Sequence, residues 1–184
     1  MQTEAMDSNA VPSWKEELFD WVESIVISVV VVVLIFTFLL RPVTVIGHSM
    51  EPTLHGDDRL IVMSINYTPT LGDIVVLDSD GLGKPLVKRI LGVPGDTIDI
   101  DFDAHLVYVN GTALEEEYIN EPTTEQGDVE FPVVVPEGHV FVMGDNRNHS
   151  TDSRWSDVGM VPRDKLVGKA VFRIFPFSKL GFVN

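Results

Sequence analysis

The chain has no cysteine among its 184 residues. That absence removes disulfide staples, thiolate zinc sites and cysteine nucleophiles together, so a folded core must hold by packing alone. Basic residues are scarce as well: 13 Lys and Arg stand against 28 Asp and Glu, for a formal net charge of -15. A field of that sign repels a phosphate backbone and argues against nucleic acid as a partner. No P-loop, dinucleotide fingerprint or zinc-ligand spacing is present, and no metal or cofactor is expected. Internal repeats and low-complexity segments are missing too.

Charge is also absent from Ser24 to Leu40, where most residues are Val, Ile, Leu or Phe. As a helix rising ~1.5 Å per residue, this run falls slightly short of a ~30 Å hydrocarbon core. Phe19, Trp21 and Val22 extend it, which places Trp21 at the interface with Asp20 and Glu23 reaching toward headgroup water. A cleavable leader is the competing reading. The acidic flank (Glu16, Glu17, Asp20, Glu23) and the bulky Phe38-Leu39-Leu40-Arg41-Pro42 segment, which offers no small-residue cleavage site, argue against it. The expected organisation is a tail over residues 1–17, a transmembrane anchor over 18–41 and one further domain over 42–184. Lys15 before the span and Arg41 and Arg59 after it leave its orientation open by the positive-inside rule.

Beyond Pro42 the pattern changes to short Val- and Ile-rich runs between turn signals. They are Leu60 to Ile65, Asp73 to Leu77, Leu86 to Val93, Thr97 to Asp101, Leu106 to Val109, Val133 to Val135, Val140 to Met143 and Val167 to Ile174. Gly72-Asp73, Pro94-Gly95-Asp96 and Pro136-Glu137-Gly138 punctuate them, and Asn110-Gly111 reads as a hairpin turn. The fold class is therefore mostly β: an N-terminal transmembrane helix followed by a single all-β domain. Glu115 to Gly127 is acidic and rich in turn residues, and reads as an exposed loop.

Three segments of the β domain concentrate chemistry. In Gly47-His48-Ser49-Met50-Glu51-Pro52-Thr53-Leu54, Gly47 permits close backbone approach and Pro52 stiffens a turn that presents the Ser49 hydroxyl and its N–H. Ser49 falls shortly after the apolar run, so a nucleophile there works near a membrane surface. In Leu86-Val87-Lys88-Arg89-Ile90-Leu91, strand alternation puts Lys88 on one face with Leu86 and Ile90, and Arg89 on the other with Val87 and Leu91. One cation must then face an apolar layer; if it is Lys88, desolvation lowers its pKa and the neutral amine can act as a general base. In Gly144-Asp145-Asn146-Arg147-Asn148-His149-Ser150-Thr151-Asp152-Ser153-Arg154, Arg147 and Arg154 can be matched by Asp145 and Asp152 in a buried network. Each segment alone also reads as an ordinary turn, edge strand or surface loop.

Taken together, in this order and after an N-terminal anchor, the three segments resemble the boxes of bacterial type I signal peptidases, the Ser/Lys leader peptidases. Ser49-Met50-x-Pro52-Thr53-Leu54 matches the serine box. Lys88-Arg89-Ile90-x-Gly92-x-Pro94-Gly95-Asp96 matches the lysine box, and Gly144-Asp145-Asn146-Arg147-x-x-Ser150-x-Asp152-Ser153-Arg154 the third. The short interval between lysine and third boxes is similar to the compact, Gram-positive form. The resemblance implies a signal-peptidase-type β fold and a membrane-bound serine endopeptidase that cuts exported preproteins after small residues of Ala-x-Ala type. It implies Ser49 as nucleophile, Lys88 as base and Ser150 as the group that orients Lys88. Gly47 and the Ser49 backbone fall in the oxyanion region, and Arg89, Asp145, Asp152 and Arg154 in a structural network. Val45, Ile46, Met50, Leu54, Leu86 and Val87 fall at the substrate-binding positions.

The implied partners are preprotein signal peptides, the lipid bilayer and, by proximity, the secretion translocon. The implied location is the cell membrane, single-pass, with the catalytic domain outside. Some relatives carry a serine hydroxyl at the position of Gly47, so the second oxyanion donor is open here. A histidine base from His48 or His149 and a calcium site on Asp99, Asp101 and Asp103 are weaker alternatives. Phe172, Phe175, Phe177 and Phe182 read equally as a lipid-facing patch or as a buried last strand.

Overall fold

A computed structural model of the chain describes residues 14–35, 40–64, 67–79 and 81–183. Two compact units divide near residue 38. The first contains one helix, α1 (Trp14–Leu34), with Glu16 and Glu17 in its first turn, where carboxylates complement the helix dipole. Asp20 and Glu23 follow, so the uncharged stretch of α1 from Ser24 to Leu34 spans only about 16 Å at ~1.5 Å per residue. Among the described residues no helix is long and apolar enough to cross a membrane. Residues 36–39 of the expected span and 1–13 of the expected tail lie outside the described residues.

The second unit is built from strands. They are β1 (Leu40–Thr44), β2 (Arg59–Met63), β3 (Ile74–Ser79), β4 (Lys84–Gly92), β5 (Thr97–Asp101), β6 (Leu106–Val109), β7 (Thr112–Ala113), β8 (Val133–Val134), β9 (His139–Met143), β10 (Val161–Pro162), β11 (Leu166–Phe175) and β12 (Gly181–Phe182). The larger sheet runs β1-β2-β11-β3-β4-β9-β10, with β12 also on β11, and the smaller runs β7-β6-β5-β8. Each apolar run named above falls on a strand, although the expected end of β2 at Ile65 is outside the described residues. Leu40 and Arg41, assigned from sequence to the end of the apolar span, pair with Met63 and Val62 and so belong to the sheet.

Asn110 and Gly111 both have positive φ, 52° and 77°, the conformation that the two-residue turn between β6 and β7 requires. Residues 115–127 form a loop without strand or helix that is mostly exposed, as expected, but two of its side chains turn inward: Thr123 is fully buried and the Glu116 side chain nearly so, where both bond the Arg147 guanidinium.

One pairing does most to assemble the site. β4 lies beside β9, with Arg89 opposite Met143 and Ile90 opposite Val142. The chain that leaves β9 at Gly144 is therefore delivered next to Lys88 and Arg89, although more than fifty residues separate them in sequence. The serine segment arrives on the loop between β1 and β2, pinned where Val45 N donates to Asp58 O at 2.8 Å and Asp57 N to Val45 O at 3.0 Å.

Candidate active site

Strand alternation separates Lys88 from Arg89, yet both are buried, at 2% and 4% exposure. Their burial is resolved in different ways. Arg89 donates from Nε and Nη2 to the two Asp145 oxygens at 2.8 and 2.7 Å, bonds the Gly72 carbonyl and lies 4.0 Å over the Tyr118 ring. It is a charge fully compensated by a bidentate partner. Lys88 has no carboxylate partner among the described residues; its Nζ donates to Ser49 Oγ at 2.7 Å. Burial pulls the Lys88 pKa down to about 8, with Asp152 the strongest opposing charge and Arg154 adding to the fall.

Ser49 sits in a turn closed by Glu51 N donating to His48 O at 3.1 Å, followed by Leu54 N donating to Met50 O at 2.9 Å. Met50 and Leu54 anchor that turn in a core with Val45, Leu60, Ile74, Ala170 and Val183. Arg173 holds its far end through the Thr53 carbonyl and the Asp58 carboxylate. Gly47 has φ of +87°, a conformation that side-chain-bearing residues rarely adopt.

The third segment locks around this turn. Asp145 accepts from Thr53 Oγ1 as well as from Arg89, so one carboxylate ties the serine turn to the lysine strand. Asn146 N donates to Ser49 O, and Asn146 Nδ2 to His48 O, both at 3.0 Å. Asp152 takes Arg154 Nε and Nη2 at 2.9 Å and the Gly144 N–H at 3.0 Å. Arg147 does not pair with Asp145 as the sequence allowed: Arg89 holds that carboxylate, and Arg147 is satisfied by Glu116, Thr123 and the Gly144 carbonyl. Ser150 is buried beside Ser49, since a Cβ placed on Gly144 would collide with both the Ser150 hydroxyl and the Ser49 carbonyl. That hydroxyl has no hydrogen-bond partner among the described residues, so the expected bond to the Lys88 amine is not formed here.

A cleft of about 330 Å³ opens at Ser49 and Lys88. Val45, Ile46, Met50, Leu86 and Val87 line it, whereas Leu54 does not; its side chain is fully buried in the core beneath. Sequence reasoning missed Val76 and Leu82, which also line the cleft, and missed Asn146, Glu116 and Thr123 as partners of the boxes. β3 opens on four consecutive apolar residues, Ile74 to Leu77, so no alternation singles out Val76, and nothing in sequence flagged the others. His48 and His149 flank the cleft mouth, but His48 Nδ1 is bonded to Glu51 Oε1 at 2.8 Å and neither ring bonds Ser49. Among the described residues no group of three or more acidic or histidine side chains is placed to hold a metal ion. Asp101 instead caps the Asp103 and Ala104 amides.

Comparison with known proteins shows the family. The family described as signal peptidase, peptidase S26, matches residues 18–175. A signal peptidase I of Bacillus licheniformis is 42% identical over 176 residues, covering 90% of this chain and 93% of the relative. Signal peptidase I S of Bacillus subtilis is 38% identical over 183 residues, covering 94% and 97%. A probable signal peptidase I-1 of Synechocystis is 36% identical over 189 residues, covering 96% and 92%. With this match spanning the helix and the β domain alike, the chain belongs to the signal peptidase family, peptidase S26, and is a serine protease.

Proposed function

We propose that this protease is a membrane-anchored signal peptidase that releases exported preproteins by means of a Ser49/Lys88 dyad. The observation that carries the reading is the 2.7 Å contact between Ser49 Oγ and a buried Lys88 amine that has no carboxylate partner among the described residues. With a pKa of about 8, roughly one lysine in ten is neutral at pH 7, enough to serve as a base.

The neutral Nζ takes the Ser49 proton as Oγ bonds to the scissile carbonyl carbon. The displaced π pair becomes an oxyanion facing the Ser49 N–H. Collapse expels the new amino terminus, which takes its proton from the Lys88 ammonium, and leaves an acyl-enzyme on Ser49. Lys88 then deprotonates a water that attacks the ester, and the proton returns to Ser49 as the signal peptide leaves. Ser150, buried beside Ser49 with a hydroxyl that has no partner among the described residues, is the group assigned to orient the amine. The cleft's apolar lining and modest volume favour small side chains of Ala-x-Ala type before the cut.

The uncharged apolar run that begins at Ser24 and continues in sequence beyond the end of α1 at Leu34 supplies the anchor, and the β domain faces outside, where translocated signal peptides emerge. Phe177, in the turn after β11, and Phe182 on β12, both about 80% exposed, extend the lipid contact. The test is incubation of the solubilised protein with a preprotein, mapping the cut by mass spectrometry beside Ser49→Ala. A cut after Ala-x-Ala that vanishes in the variant supports the reading; cleavage that persists in Ser49→Ala defeats it. Protease shaving of intact protoplasts reads the topology, and a β domain left untouched would reverse it.

A further inference from the structure

The two carbonyls on either side of the Ser49 Cα converge on one residue. Asn146 Nδ2 donates to His48 O, and Asn146 N donates to Ser49 O, each at 3.0 Å. The side-chain orientation follows from chemistry, since a carbonyl oxygen only accepts and so must face Nδ2. Asn146 is itself 6% exposed, held at the head of the one-turn helix Arg147–His149, where His149 N donates to Asn146 O. Neither peptide plane around the nucleophile can turn without breaking a bond to this residue.

In a trans peptide the C=O and the following N–H lie in one plane and point in opposite directions. Drawing the His48 oxygen toward Asn146 therefore turns the Ser49 N–H away from the third segment. That N–H has no acceptor among the described residues, and Ser49 lies on the cleft. Gly47 has no hydroxyl to add a second side-chain donor, so orientation of this single N–H bears more of the charge developed in the reaction. The turn bond from Glu51 N also reaches His48 O, but it belongs to the same turn and moves with it. Asn146 ties that turn to the Gly144–Arg154 framework.

We infer that Asn146 is a positioning residue for the oxyanion site: by clamping the His48 and Ser49 carbonyls it aims the Ser49 N–H at the oxygen of the tetrahedral intermediate. The inference rests on Ser49 being the nucleophile. It assigns Asn146 no part in substrate contact or in proton transfer, and this is what makes it separable from a general structural role.

The experiment compares detergent-solubilised wild type, Asn146→Ala and Asn146→Asp on a peptide cut after Ala-x-Ala, with inhibition by a peptide aldehyde ending in the aldehyde of alanine. Serine addition to that aldehyde forms a hemiacetal whose oxygen occupies the oxyanion position. Expected for Asn146→Ala is a kcat lower by about 10-fold or more, KM within about 2-fold, aldehyde affinity weakened in proportion to kcat, and an unchanged pH midpoint of activity. Should Asn146→Ala fail to fold, the isosteric Asn146→Asp, which puts a carboxylate oxygen against the His48 carbonyl, must show the same fall in kcat and in aldehyde affinity; the pH criterion applies to Asn146→Ala alone, since a new carboxylate near Lys88 raises the pKa of that amine directly. A loss confined to KM, a kcat loss with unchanged aldehyde affinity, or a shifted pH midpoint would overturn the inference. Ser49→Ala is run in parallel: if it remains active, the nucleophile assignment has failed; if it is dead while Asn146 variants match wild type, only the clamp has failed.

Discussion

Arg89 and Asp145 meet through two parallel hydrogen bonds, 2.8 and 2.7 Å long, with both side chains buried and Thr53 on the same carboxylate. The pair joins the strand that carries Lys88 to the turn that carries Ser49, so what looks like a structural ion pair sets the distance between the two proposed catalytic groups. Asp145→Ala leaves the Arg89 charge buried without its partner, which costs on the order of 3–5 kcal/mol. The expected result is a large fall in the urea midpoint together with loss of activity. Arg89→Lys cannot restore the fork and should recover little of either. Asp145→Ala with an unchanged midpoint would show that the pair does not organise the domain.

Gly144 should admit no side chain. A Cβ there would overlap the Ser150 hydroxyl and the Ser49 carbonyl at once, and the latter is backbone and cannot yield cheaply. Gly144→Ala is expected to cost about 1–3 kcal/mol of stability through overpacking. Activity should fall by roughly 100-fold or more, because an error of ~1 Å at the nucleophile is enough to cost that much. Circular dichroism would show a folded domain, and kcat the defect; a fully active Gly144→Ala would mean that the third segment stands off from Ser49.

Leu86 and Val87 line the cleft from β4 while Met50 and Val45 line it from the serine turn. A peptide with Phe in place of Ala just before the cut should not be cleaved by wild type, since the bulk displaces the carbonyl from Ser49. Leu86→Ala enlarges the cleft and should let larger residues in, with the Ala substrate slowed less than the Phe substrate is gained. Equal wild-type rates for Ala and Phe would remove this wall from the specificity pocket.

Much of this was legible in sequence because it is local. Alternation in Leu86-Val87-Lys88-Arg89 separates the two cations, and Asn110-Gly111 specifies its own hairpin. The pairings were not legible. Arg89 takes Asp145 because β4 lies beside β9, and Arg147 takes Glu116 because residues 115–127 fold back over the third segment. Composition marked that stretch as a solvated loop, yet two of its side chains satisfy a buried guanidinium. Leu54 was misplaced for a related reason: its position in the serine box says it is near Ser49, while one turn of backbone carries its side chain into the core instead.

The proposed role of Ser150 predicts a loss of rate without a loss of fold. Its hydroxyl is buried beside Ser49 and has no partner among the described residues. If it holds the neutral amine in line with Ser49, Ser150→Ala should lower kcat by about 10-fold or more, a typical loss for a misaligned base, without unfolding the domain. Ser150→Thr, which keeps a hydroxyl, should recover part of it. An Ala variant as active as wild type would leave Lys88 oriented by packing alone.

Lys88 gives the clearest link between burial, stability and activity. Its pKa is about 8 in the fold against 10.5 for a free lysine, chiefly because burial penalises the ammonium. Between those values the unfolded chain binds more protons than the folded one, so stability should rise as pH climbs from about 8 to about 10.5. Below pH 8 both states are protonated and the burial penalty is fully present. Above the unfolded value it is gone, and the span corresponds to ~3 kcal/mol. Activity should rise along the lower part of the same window as the neutral base is populated. Lys88→Met keeps the apolar stem and removes the amine, so it should be inactive, at least as stable as wild type near neutral pH, and without the alkaline climb. Urea denaturation and peptide cleavage from about pH 6 to about pH 10 measure all three. An active methionine variant, or stability profiles that run parallel, would mean that the Lys88 amine is solvated in the working enzyme and is not the base.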